Sequence, residues 1–311
     1  MILPETKHNL KISLHGGHSG EFCEHAEGTL RETLEAAVSA GFTVYGVSEH
    51  APHTESRFLT QEEIAKGWDI ARLQRNFADY TRTVDTLAEE FSDRIMILRG
   101  YEAEIVPTAT YRAQMWGYRE QRAPGDPLRF AFDYCVGSVH YVEETVIDYT
   151  PELYTRAVEQ CETFEAFVVR YYSEVVKMVT TLEPQVVGHL DLYKRFAERA
   201  SFGQERLFTP RIRAAAIIAL EAIRSTGAIL DLNTAGWRKG LGEPYPAPWI
   251  IAEANHMGVP FCFGDDSHKP ADVGAGFPEA RDYLLANGVT EIAYLIKEKG
   301  SQKVTQRRAN L

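Results

Sequence analysis

Three histidines, His15, His18 and His25, fall within the stretch LHGGHSGEFCEHA at positions 14–26. A neutral imidazole is a common ligand for zinc and its neighbours in the transition series. Three of them just beyond the apolar alternation Leu10, Ile12, Leu14 point to a metal site at the end of a first strand. The same residue types recur along the chain. SEH ends at His50, GYEAE carries Glu102 and Glu104, and GSVH ends at His140. GHLD holds His189 and Asp191, and GDDSH supplies Asp265, Asp266 and His268. Taken singly, each has an ordinary role open to it. His50 can cap a strand, His140 can be a satisfied core histidine, Glu102 can pair with Arg99 or Arg112, and Asp266 can be a turn residue. Their placement relative to the secondary structure decides between these readings.

Each candidate needs an element to position it. Residues 29–40 carry Leu30, Leu34, Ala37 and Val38 at helical spacing, with Thr29 as N-cap and Gly41 as stop. Residues 42–47 read as a buried strand ending at Ser48, Glu49 and His50. A long helix is expected over 61–91, a β-rich stretch over 95–105, a strand over 132–142 and a helix over 151–181. QVVGHLDL supplies a short strand ending at His189 and Asp191. Helix over 211–225, strand then loop over 228–236, helix over 247–257 and strand over 260–268 follow. A helix over 278–286 and a strand over 292–296 close the series.

This alternation argues for a parallel sheet with helices outside it, and about seven units in one series favour a closed or nearly closed barrel. His15, His50, Glu102, His140, His189, Asp266 and His268 all fall at or just past the carboxyl end of an expected strand. In a parallel β/α barrel those ends converge on the face where active sites are built. His8, His53 and His256 lack this placement and read as surface or loop residues, His53 being near enough to the mouth to line it. Asp266 and His268 are two apart and can share one side of a strand, as can Glu102 and Glu104, so spacing leaves open which glutamate is a ligand. His15 and His18 are three apart, and a bulge or turn at Gly16-Gly17 would bring both imidazoles to one side.

A chain of 311 residues, 44% hydrophobic and 25% charged, has ordinary globular composition and reads as a single domain over 1–311. Its longest apolar runs, such as 214–220, are too short to span a bilayer, and residues 1–11 lack a secretory-signal pattern. Cys23, Cys135, Cys161 and Cys262 form no CxxC pair, which fits a reducing cytoplasm better than a disulfide framework or zinc finger. The net charge of −11 argues against a nucleic-acid surface, which would need a basic face, although bound metal ions can invert the local field for an anionic substrate. Segments 123–127 and 240–248 read as loops, and a homo-oligomer is compatible with the composition.

The stretches HGGHSGEFCEHA, VYGVSEHAP, GYEAE, DYCVGSVHYV, VVGHLDLYKRF, LDLNTAGWRK and FGDDSHKPADVG run in order from about residue 12 to residue 277. Together they resemble the polymerase-and-histidinol-phosphatase (PHP) family, and within it the monofunctional histidinol-phosphatase branch. The resemblance implies an α/β fold, a distorted (β/α)7 barrel, with three divalent metal ions (zinc, manganese or iron) at the carboxyl ends of the strands. By motif, His15, His18, Glu102 and Asp266 would hold one ion. Glu102 would bridge to a second, completed by His140 and His189, and His25, His50 and His268 would hold the third. The chain departs from the family's H-x-H opening with H-G-G-H, and from its S-D-x-H with D-D-S-H, where Asp265 reads as a neighbour of the ligands.

Three divalent ions bring about six positive charges against about two from Glu102 and Asp266, so an anionic substrate and hydroxide must supply the balance. A phosphate monoester meets that need. A metal-bridging hydroxide attacking phosphorus in line requires no protein nucleophile, and the chain has no convincing Walker or GxSxG sequence. Arg195 and Arg238 directly follow strand ends and are the preferred phosphate partners, with Lys194 and Arg170 as further candidates. Glu104, Asp191 and Asp231 are candidates for a cationic leaving group. The leading expectation is hydrolysis of L-histidinol phosphate in histidine biosynthesis. The alternative is the same chemistry on another phosphomonoester or a phosphodiester, such as a nucleotide or sugar phosphate. An amidohydrolase would be expected to have eight strands and often a bridging lysine where GSVH stands. A polymerase-associated exonuclease would need a further domain and a basic groove. A non-catalytic metal binder sits poorly with two carboxylates retained beside seven histidines.

Overall fold

The computed structural model describes residues 11–104, 108–120, 132–198, 207–298 and 304–311. His8, Leu10 and the expected loop at 123–127 lie outside them. Strand β1 (Ile12–Gly16) leads to helix α1 (Leu30–Ser39), which begins where the sequence places it. The Thr29 hydroxyl accepts from the Glu32 N–H while the Glu32 carboxylate accepts from the Thr29 N–H, a reciprocal cap. Strand β2 (Val44–His50) follows. The single helix expected over 61–91 is two, α2 (Gln61–Ala65) and α3 (Ile70–Glu90). Gly67 takes a φ of 69°, and Asp69 caps a fresh start by accepting from the Arg72 N–H.

Strand β3 (Met96–Glu104), helix α4 (Ala109–Glu120) and strand β4 (Tyr134–Ser138) come next. The strand expected over 132–142 stops at Ser138, and β5 (Tyr141–Val142) pairs with β6 (Thr145–Val146) in a separate hairpin. The helix expected over 151–181 breaks into α5 (Pro151–Gln160) and α6 (Phe164–Leu182), the second capped by Thr163. Then follow β7 (Val186–Val187), α7 (Pro210–Thr226), β8 (Ile229–Asn233), α8 (Ala235–Arg238), α9 (Pro248–His256), β9 (Phe261–Gly264) and α10 (Phe277–Ala286). The last expected strand is β10 (Glu291–Lys297), which pairs antiparallel with β11 (Val304–Asn310) outside the barrel.

Seven strands in the order β1-β2-β3-β4-β7-β8-β9 close into one parallel barrel. Alternation puts Leu98, Gly100 and Glu102 on one face of β3, and Tyr134, Val136 and Ser138 on one face of β4. Leu98, Tyr134 and Val136 join Ile12, Leu14, Val44, Val186, Ile229 and Cys262 in an apolar layer, into which Ala293, Tyr294 and Leu295 of β10 also pack. Glu102 and Ser138 lie further along the same faces, so the polar site sits above an apolar floor. The Tyr134 ring fits because Gly46 and Gly100 have no side chain. A Cβ at Gly100 would press on that ring and lie 2.7 Å from the Val47 carbonyl oxygen. The larger core lies between barrel and helices. Among the described residues no helix is long and apolar enough to cross a membrane.

Candidate metal centre

The β1–β2 register shifts between Ser13 and Gly16, the irregularity that the HGGH spacing requires. A side chain at Gly16 would meet the Tyr45 ring at 2.7 Å, and one at Gly17 would press on Thr33. With both glycines in place, His15 and His18 reach the same two carboxylates. His15 Nε2 lies 3.5 Å from Glu102 and 3.9 Å from Asp266. His18 Nε2 lies 3.8 Å from Glu102 and 3.5 Å from Asp266.

Glu102 is the hub. Strand pairing sets His50 directly opposite it, and its carboxylate is 3.2 Å from His50 Nδ1, 3.4 Å from His189 Nε2 and 3.8 Å from His140 Nε2. Ser138 donates a hydrogen bond to it. Glu104 shares the face without sharing the hub: one oxygen lies 3.2 Å from His140 Nδ1 and the other has no partner. His25 and His268 approach from loops, their Nε2 atoms 3.1 Å apart, while His50 and His268 stack on His18 at 4.3 and 4.4 Å. Donor atoms within 4.8 Å of one another form overlapping groups: His15–His18–Glu102, His15–His189–Asp266, Glu102–His140–His189, His18–His50–His268 and Cys23–His25–His50. The nine expected ligands thus gather in one region.

Asp266 takes a φ of 45° and is held there from both sides. Its N–H donates to the His15 carbonyl at 2.8 Å, and its carbonyl accepts from Arg238 Nη2 at 3.1 Å. The donor set fits divalent metal ions. His15 and His18 are fully buried, yet Nε2 of each lacks a hydrogen-bond partner, as do both nitrogens of His50 and Nδ1 of His189. Unpartnered buried polar atoms cost roughly 1–3 kcal/mol each, which a bound cation would relieve. The field points the same way. Burial alone would neutralise Glu102 and Asp266, yet His15 holds Glu102, and Lys239 with His18 holds Asp266, well below the usual carboxylate range. Ionised carboxylates in a buried pocket need positive charge beside them, which protonated imidazoles or a bound cation can supply.

Behind the imidazoles stands a second set of carboxylates. Asp231 lies 2.9 Å from His15 Nδ1, Glu49 lies 3.3 Å from His18 Nδ1, and Glu104 meets His140. Such partners fix the ring orientation and raise ligand basicity. Asp231, expected to face a substrate cation, instead orients His15. Glu49 was not singled out from the sequence, although its position beside His50 in SEH was the available signal. Asp265 stands next to the donors as expected, accepting from Ser13 at 2.9 Å, Tyr45 at 3.0 Å and the Gly274 N–H at 2.7 Å.

The centre opens into a cavity of about 490 Å³. Arg195, Arg238 and Lys239 line it beside Asp266: Lys239 Nζ is 3.8 Å from Asp266, and Arg195 donates to the Lys239 carbonyl at 3.2 Å. Another part of the lining is acidic and apolar, with Glu24, Glu63, Phe22, Leu73 and Phe77. His53, expected in a loop or on the surface, is buried in this wall with Nε2 3.3 Å from the Tyr141 hydroxyl, whereas His256 is exposed. Three expected substrate contacts are placed elsewhere. Lys194 and Asp191 pair with each other at 2.9 Å; Lys194 also meets Glu243, and Asp191 accepts from the Ala247 N–H, so neither lines the cavity. Arg170, on α6, pairs with Glu143 at 2.7 Å and Glu174 at 3.2 Å, also off the cavity.

Known proteins resemble this chain in sequence and fold. A probable histidinol-phosphatase of Schizosaccharomyces pombe is 29% identical over 295 residues, spanning 94% of this chain and 90% of that one. The histidinol-phosphatase of Saccharomyces cerevisiae is 26% identical over 316 residues, spanning 93% and 92%. A Listeria monocytogenes protein crystallised as a candidate histidinol phosphatase shares the fold with a TM-score of 0.74 at 24% identity, covering 86% of this chain and 99% of that one. The histidinol phosphate phosphatase of Lactococcus lactis, solved with zinc, L-histidinol and phosphate, shares it with a TM-score of 0.63 at 21% identity, covering 91% and 95%. The PHP domain matches residues 14–235, well over half of the chain, and the protein belongs to the PHP domain family.

Proposed function

We propose that this protein hydrolyses L-histidinol phosphate to L-histidinol and phosphate. The observation that carries the reading is the buried donor cluster at the barrel mouth, opening into a cavity with a cationic wall and an acidic, apolar one. The relatives named histidinol-phosphatase, aligned over nearly the whole chain, supply the substrate. We assign three ions. His15, His18, Glu102 and Asp266 would hold one, Glu102 with His140 and His189 would hold a second, and His25, His50 and His268 would hold the third. Zinc, manganese and iron all suit this donor chemistry. Divalent ions supply Lewis acidity here, lowering the pKa of water and polarising phosphoryl oxygens.

The chain's own residues do the rest. Arg195, Arg238 and Lys239 draw the phosphate to the donor cluster and hold it for in-line displacement, in which water oxygen bonds to phosphorus as the ester P–O bond breaks. Asp231, Glu49 and Glu104 keep the imidazoles aimed. The Glu24–Glu63 wall suits the cationic amino alcohol that leaves. We place the reaction in the cytoplasm, on a small ester and not on nucleic acid. The test is phosphate release from histidinol phosphate against a panel of nucleotides, sugar phosphates and phosphodiesters, with and without chelator. A strong preference for histidinol phosphate, lost on chelation, is expected. Comparable rates across unrelated esters would leave the phosphoesterase chemistry and remove the substrate assignment.

A further inference from the structure

A cysteine stands among the side chains assigned to the third ion. Cys23 is buried, lines the cavity, and sets its Sγ 3.3 Å from Nδ1 and 3.4 Å from Nε2 of His25. Sγ, a His25 nitrogen and a His50 nitrogen all lie within 4.8 Å of one another. Tetrahedral zinc, with Zn–S of about 2.3 Å and Zn–N of about 2.0–2.1 Å, needs donors roughly 3.3–3.6 Å apart. Only one nitrogen of the His25 ring can face a given ion, and Nε2, 3.4 Å from Sγ and 3.1 Å from His268 Nε2, stands at about that spacing from both. Two further observations point to a cation at this place. His50 Nε2 is cut off from solvent without a hydrogen-bond partner. The adjoining His18, fully buried and stacked 4.3 Å from His50, also has an unpartnered Nε2.

We infer that Cys23 supplies a thiolate to the ion shared by His25 and His50, making this a mixed nitrogen–sulfur site within an otherwise nitrogen–oxygen cluster. As the sulfur–metal bond forms, the thiol proton passes to solvent. The soft donor biases this position toward zinc, or iron in its place, over manganese. The proposal rests on reading the cluster as a metal centre.

The test is spectroscopic. Full-length protein is stripped, reconstituted with cobalt(II), and its near-ultraviolet absorption and bound cobalt are measured. A thiolate-to-cobalt charge-transfer band is expected in the parent and in Cys161→Ser, and is expected to vanish in Cys23→Ser, which should bind that cobalt at least about tenfold more weakly. Alkylation of the parent, mapped by mass spectrometry, should show Cys23 protected by metal and released by chelator, which decides the matter even if Cys23→Ser does not fold. Cobalt bound without the band, or a band that survives in Cys23→Ser, overturns the thiolate alone. A parent that binds no cobalt overturns the metal centre and the thiolate with it.

Discussion

Glu102 touches five imidazoles within 4 Å, and no described side chain does more to hold the site together. Glu102→Gln keeps the shape and removes the charge. It should lower metal affinity by more than the roughly 10–100-fold seen when an outer partner is lost, and abolish turnover. Metal content by mass spectrometry beside circular dichroism checks this, since unchanged dichroism with metal lost is the expected pair of results. Arg195 lines the cavity with one side-chain hydrogen bond, to the Lys239 carbonyl, and a packing contact on the Phe196 ring. Arg195→Ala should raise KM for the phosphate ester about ten- to a hundredfold, the worth of a hydrogen bond to a charged group, with the fold intact. Arg238 is a poorer probe because it also braces the Asp265–Asp266 backbone. Residue identity and spacing made the gathering of these side chains legible, because histidines and acids at successive strand ends converge on one face of a barrel. The same logic misread Lys194 and Asp191. They too follow a strand end, but Glu243 and the Ala247 N–H, about fifty residues on, come to meet them, and local spacing carries no trace of that encounter.

At the scale of elements, most strands and helices were readable from period and caps, while their interruptions were not. The breaks before α3 and α6 each carry an N-cap, Asp69 and Thr163, yet apolar periodicity continues across both and hides the restart. The barrel's glycines form another layer of constraint. Gly100 is the register partner of Tyr134 on the adjoining strand, whose ring covers it, so Gly100→Ala overpacks a closed ring of strands. It should destabilise the protein by about 1–3 kcal/mol, read from the shift in urea midpoint at constant m-value. A Cβ at Gly41 meets no neighbour within 4 Å. An alanine there should cost only the strain of its φ of 79°, a smaller shift in the same measurement.

For the whole molecule, the barrel has two unlike ends. Expecting a closed parallel barrel with its chemistry at the carboxyl ends was correct, but the pairing of β10 with a strand beyond it was not anticipated, because residues 304–310 (VTQRRAN) carry little apolar patterning. That hairpin packs Ala293, Tyr294 and Leu295 into the apolar layer under the site. Among the described residues that layer closes the barrel beneath the site, and the cavity opens on the opposite side. Under the proposed function, phosphate drawn to the donor cluster would lie deeper than the amino alcohol and would leave second. Orthophosphate should then inhibit competitively against the ester and L-histidinol non-competitively, in product-inhibition kinetics on the loaded enzyme. If both products inhibit competitively, release is unordered and the chamber has another way out.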